Sequence, residues 1–205
     1  MRSFFVSLAL LLFVSVCANA KQLEGRVFKN GIATEVYMKV PTGLFKGKPQ
    51  FEPMQFRIKA KGKGDEKWIR LDPREVDRLE FEYNGETYSM VSLYGKKGAE
   101  MLVGRRKKMF VRELVGGELS LYTYHYSTKT FSDDSFETDY EKYILYKRGQ
   151  ELMVPGALNF RKEVSRYISD KPHLSERVMN RELRLKDIIE MIRLYQQVQM
   201  MEAML

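Results

Sequence analysis

The stretch Arg78-Leu79-Glu80-Phe81-Glu82-Tyr83-Asn84-Gly85-Glu86-Thr87-Tyr88-Ser89-Met90-Val91-Ser92-Leu93 decides the fold class. Leu79, Phe81 and Tyr83 alternate with Arg78, Glu80 and Glu82, which gives a strand one apolar and one wet face. Asn84-Gly85 accepts the positive φ of a two-residue hairpin turn, whose twist matches the strands it joins. A turn there sets Phe81 opposite Tyr88 and Leu79 opposite Met90. Each such cross-strand pair contributes a few tenths to about 1 kcal/mol.

The same signal recurs on both sides. Asn30-Gly31 separates Leu23–Phe28 from Thr34–Val40; Gly116-Gly117 separates Met109–Val115 from Leu119–Tyr124; Arg148-Gly149 separates Tyr143–Lys147 from Glu151–Val154. Met54–Ala60 and Lys67–Leu71 are further strand candidates, and the loops Thr42–Pro53 and Ser127–Thr138 are the expected mobile segments. After Pro155-Gly156 the period changes. Phe160, Val164, Tyr167 and Ile168 fall at helical spacing, Ser169-Asp170-Lys171-Pro172 breaks that helix, and a short turn of helix follows near Leu174–Met179. From Leu183 onward Leu185, Ile188, Ile189, Ile192 and Tyr195 form one stripe, with Met191, Leu194, Val198, Met201 and Leu205 beside it, on a helix roughly 30 Å long. The expected class is α+β: about nine or ten mostly antiparallel strands, in a sandwich or a curved barrel-like sheet, followed by C-terminal helices.

The first twenty residues have a secretory layout: basic Arg2, an apolar run from Phe4 to Val14, and Ala18-Asn19-Ala20 as a cleavage site. The apolar run is shorter than the roughly 20 residues of a membrane span. The expected organisation is a signal helix over residues 1–20, a β domain over 21–155 and a helical segment over 156–205 packed on the same domain. Cleavage after Ala20 implies a periplasmic or extracellular product; lipidation at Cys17 is the minor alternative, disfavoured because Val16 precedes it. Cys17 is the single cysteine, so a processed chain holds no thiol nucleophile, disulfide or thiolate-bound metal. Asn-x-Ser/Thr is absent, which leans toward a bacterial origin.

The chain carries 35 Lys and Arg against 27 Asp and Glu, a net charge of +8. The signal holds one of those cations and no acid, so processing leaves +7. Such a balance admits a polyanionic envelope glycan or lipid surface as partner, and export disfavours nucleic acid. The basic residues are spread along the chain, however, and Arg105-Arg106-Lys107-Lys108, the densest run, is of a kind that more often marks a wet strand end or edge than a contact with lipid or polysaccharide.

Candidate chemistry is sparse. In Tyr122-Thr123-Tyr124-His125-Tyr126-Ser127 a strand puts Tyr122, Tyr124 and Tyr126 on one face, a strip able to stack on sugar rings, and Thr123 and His125 on the other. These tyrosines and His125 are the ligand-contact candidates. No Gly-x-Ser-x-Gly elbow supports a serine hydrolase. His173 follows a helix-breaking proline, and two isolated histidines do not assemble a zinc site. Asp133, Asp134, Glu137, Asp139 and Glu141 crowd one segment without calcium-loop order and are expected to form a solvated acidic loop. The catalytic assignment is therefore unknown, and no metal or cofactor is expected.

Three stretches carry a resemblance: Leu71-Asp72-Pro73-Arg74-Glu75-Val76-Asp77-Arg78-Leu79-Glu80-Phe81, then Lys108–Tyr122 with its Gly116-Gly117 turn, then Tyr167-Ile168-Ser169-Asp170-Lys171-Pro172-His173-Leu174 before the last helix. In this order the chain resembles uncharacterised exported β-rich proteins of Bacteroidota-type bacteria. The resemblance implies an envelope or secreted location and transfers no catalytic residues. The leading expectation is a non-enzymatic exported protein with a binding or envelope structural role. The alternatives are a secreted hydrolase using dispersed acids or His125, and a partner-binding protein that uses its last helix.

Overall fold

The computed structural model describes residues 20–42, 48–94, 108–129 and 137–204. They form an α+β fold with one nine-stranded antiparallel sheet: β1 (Ala20–Lys29), β2 (Ile32–Pro41), β3 (Ile58–Gly62), β4 (Ile69–Leu71), β5 (Arg78–Tyr83), β6 (Glu86–Tyr94), β7 (Lys108–Val115), β8 (Leu119–Lys129) and β9 (Glu137–Lys147). The spatial order is β4-β3-β2-β1-β5-β6-β7-β8-β9. Of the two arrangements expected, the curved single sheet is the one adopted. Residues 1–19 of the expected signal segment 1–20, Cys17 included, lie outside the described residues.

The deciding hairpin has the expected register, with Phe81 opposite Tyr88 and Leu79 opposite Met90. Asn84 and Gly85 both take positive φ, as do Asn30 and Gly31. Three expectations need correction. The Gly116-Gly117 connection is a three-residue loop with a register shift between Glu113 and Val115, because Ser120 Oγ holds the loop by accepting from Gly117 N–H and donating to Gly117 C=O. Glu151–Val154 makes only a single bridge, Leu145 to Met153. The strand expected over Met54–Ala60 begins at Ile58, and a 3₁₀ turn, Glu52–Met54, precedes it, with Pro53 ruling out strand pairing there.

The sheet curls strongly. Five strand spacings separate β2 from β8, roughly 24 Å in a flat sheet. Yet Gln50 donates its N–H to Pro41 C=O on β2, and the next residue, Phe51, stacks on the His125 ring of β8 at 5.1 Å. One short segment spans the interior of the curl. Met38, Met54, Leu79, Phe81, Met90 and Phe110 pack around it as the first core. Gly25 on β1 has no room for a side chain, because a Cβ would meet Glu80 C=O and the Met38 side chain.

The second core lies at the turn end of β7–β9. There α1 (Phe160–Tyr167), α2 (Pro172–Met179) and α3 (Ile188–Glu202) bury Val164, Val178, Ile188, Met191, Ile192 and Tyr195 against Leu119, Leu121 and Leu145. Alternation sends Met109, Val111, Tyr122, Tyr124 and Ile144 to the outer face, where they form a third cluster with Leu152 and Val154 against it. No described helix is long and apolar enough to cross a membrane.

Candidate functional site

The strip Tyr122-Thr123-Tyr124-His125-Tyr126 divides as its period requires. Tyr122, Tyr124 and Tyr126 face outward, and Thr123 and His125 face inward, so the four candidates do not make one site. Tyr122 and Tyr124 are 5% and 7% exposed, and burial pushes both phenols above the ordinary tyrosine value. Tyr126 is half-buried and stacks between Tyr124 at 6.0 Å and Tyr140 at 5.3 Å, with Lys142 Nζ 5.2 Å from its centroid.

His125 belongs to the interior seam. Its ring lies on Phe51, 3.4 Å from Thr123 Oγ1 and 3.9 Å from the Glu141 carboxylate. Phe51 also carries the Arg112 guanidinium at 4.8 Å, which sits 5.0 Å from the Tyr88 ring as well. This is packing between two cores. His173 is exposed on α2. The acidic segment is in part a strand, since Glu137, Asp139 and Glu141 belong to β9; Asp133 and Asp134 lie outside the described residues, as do Arg105, Arg106 and Lys107. Lys108 places its Nζ 5.2 Å from the Tyr94 ring.

The outer face of β2–β4 gathers residues that sequence distance keeps apart. Strand pairing sets Lys39 opposite Lys59 and Lys59 opposite Arg70, one cross-strand row of three cations. The neighbouring row is Tyr37, Lys61 and Trp68, where Trp68 continues the β3–β4 register by one residue. Lys39 Nζ lies 4.6 Å and Lys61 Nζ 5.4 Å from the Trp68 centroid, and Lys61 lies 5.9 Å from Tyr37. The ring's negative faces hold both ammonium groups in place without neutralising them. Among the described residues, Lys39, Lys59, Lys61 and Arg70 make no ion pair. The adjacent acids Glu24 and Glu35 share Lys63, at 3.4 and 2.8 Å.

Like charges directly opposite in a sheet are destabilising. Edge protection accounts for cations on β4 but not for Lys59, one strand in, or Lys39, two strands in. The alternation of basic with apolar residues in Tyr37-Met38-Lys39-Val40, Lys59-Ala60-Lys61 and Trp68-Ile69-Arg70-Leu71 was readable in each strand. Their juxtaposition depends on strand pairing.

A second feature lies on the same face at β8–β9. Gly117, Glu118, Ser120, Tyr122, Tyr146 and Arg148 line an open cleft of about 490 Å³. Tyr122 and Ser120, each 5% exposed, form its floor, and the more open Tyr146, Glu118 and Arg148 supply a ring, a carboxylate and a guanidinium, a set suited to a hydroxylated ligand. No family model, no curated protein and no solved structure matches the chain, and the chemistry of this face is read from its own geometry.

Proposed function

We propose that the protein is an exported, non-catalytic binding protein that holds an acidic glycan on the outer face of β2–β4. The observation that carries this reading is the row Lys39–Lys59–Arg70, three cations placed directly opposite one another with no ion pair among the described residues. Their mutual repulsion is relieved by a polyanion, and the neighbouring Lys61 and Trp68 extend the surface with one more cation and an aromatic ring. The acidic glycan is favoured over a lipid surface because a membrane-binding face needs apolar side chains projecting beside its cations. Here Trp68 and Tyr37 are half-buried, and the exposed Ile69 pairs with Ala60 on the core side.

Calorimetric titration with polygalacturonate, dextran and phosphatidylglycerol vesicles tests the reading. Polygalacturonate binds and weakens as salt is raised, since screening shortens from about 10 Å at 0.1 M to about 3 Å at 1 M; dextran and vesicles do not bind. Lys59→Thr moves two readouts in opposite directions. It raises stability by a few tenths of a kcal/mol by removing the central like charge, and it lowers polygalacturonate affinity about threefold to tenfold, the scale of one surface charge contact. Unchanged affinity in Lys59→Thr, or vesicle binding in place of polygalacturonate binding, overturns it.

A further inference from the structure

The basic rows on β2–β4 and the cleft on β8–β9 occupy the same face, and one cross-strand line passes between them. Arg26 pairs with Glu80, Glu80 with Ser89, Ser89 with Glu113 and Glu113 with Tyr122, which lines the cleft. Three carboxylates stand on that line: Glu35, opposite Arg26 on β2, is exposed and paired with Lys63, and the other two are nearly covered. Glu80 and Glu113 keep 13% and 12% of their side-chain surface, while Arg26 and Arg78 above them keep 56% and 40%. Arg26 holds Glu80 at 2.6 Å; Arg78 contacts Glu80 at 2.9 Å and Glu113 at 3.1 Å, and Ser89 Oγ donates to Glu113 at 3.0 Å. The acids orient the arginines from below, and the arginines present the outer surface. The exposed Glu82 lies two residue pairs off the line, in the next row of the same face.

We infer that the cleft is a second subsite for the same ligand, so that the ligand is an extended acidic polysaccharide lying across the strands and not a short acidic sugar. This inference rests on the acidic-glycan reading of β2–β4. Six strand spacings separate β3 from β8, roughly 29 Å along the sheet. At the cleft, the half-buried Tyr146 presents ring surface over the buried Tyr122 and Ser120, Glu118 meets hydroxyl groups, and Arg148 at the rim takes a carboxylate. Between the ends, Arg26 and Arg78 offset the charges of Glu80 and Glu113, and Lys63 offsets one of the exposed pair Glu24 and Glu35. A chain that reaches both ends converts the second contact into an intramolecular one and gains affinity without any new kind of contact.

A length series of oligogalacturonates, from the disaccharide to chains longer than the separation, tests this on the full chain. Wild-type affinity rises steeply once the oligomer reaches both ends, by about 100-fold. Arg148→Ala, an exposed turn position, leaves the affinity of short oligomers unchanged and lowers that of spanning oligomers about threefold to tenfold, the scale of one surface charge contact. Lys59→Thr lowers affinity at every length. A wild-type gain that is absent, or one that Arg148→Ala leaves unchanged, overturns the second subsite while short-oligomer binding still supports the basic rows. Binding that fails at every length overturns both.

Discussion

Gln55 holds the sheet together where β7 and β8 part. Pairing between these strands is regular at Arg112–Thr123, and beyond it Gln55 fills the gap. Its backbone C=O accepts Phe110 N–H at 2.8 Å. Its side-chain amide donates to His125 C=O and accepts His125 N–H, each at 2.8 Å, as a strand residue would. The residue is 1% exposed, so water does not readily replace it. Gln55→Leu keeps the bulk and leaves two buried backbone groups of His125 unpaired, each costing about 1–3 kcal/mol. Urea unfolding is expected to show a loss of about 2–4 kcal/mol; a loss under about 1 kcal/mol sinks the idea. The sequence pointed to His125 as a chemical candidate, but its backbone carries this interaction and its ring packs on Phe51.

At the scale of elements, α3 is two helices in one. Its first two turns bury Ile188, Met191, Ile192 and Tyr195, and Gln196 donates to Leu119 C=O at 2.6 Å. Its last turn leaves Met200 and Met201 about 60% exposed, and Met204 beyond it is more exposed still. Ile192→Ala is expected to cost about 2–5 kcal/mol, as for core truncations generally. Met201→Ser is expected to stay within about 0.5 kcal/mol of wild type, as read by thermal unfolding. Equal effects would mean that the terminal turn is core. The helical stripes were legible because 3.6-residue periodicity is local. Where burial stops along the stripe depends on where β8 lies beneath it.

At the scale of the whole molecule, Asp170 ties three parts of the fold. It accepts from Tyr195 OH on α3 at 2.5 Å and meets Lys147 Nζ of β9 at 2.5 Å, from the break between α1 and α2. Burial alone would raise its pKa, but the Lys147 and Tyr195 donors outweigh burial and hold it below the ordinary value. Asp72 is held at about 2 by the Arg74 side chain and N–H. A carboxylate with a lowered folded pKa stabilises fully above its unfolded value, near 3.9, and loses that contribution as pH falls through the folded value. The wild-type unfolding midpoint is therefore expected to fall between about pH 4 and pH 2, and Asp170→Asn to give a shallower acid limb with lower stability at neutral pH. Parallel acid limbs in the two proteins would rule the tie out.

The hairpins at Asn30-Gly31 and Asn84-Gly85, the register of the second and the change to helices after Pro155-Gly156 were legible in the sequence. These are set by φ preferences and periodicity within about twenty residues. Only the tertiary structure decided that the sheet is single and curled, since that depends on Phe51 and Gln55 meeting β8, some 70 residues away in the chain. It also decided the candidate site. Lys39, Lys59, Trp68 and Arg70 appeared as scattered cations and a lone tryptophan until antiparallel pairing set them side by side. Charge density is a property of neighbours in space, and strand pairing chooses those neighbours.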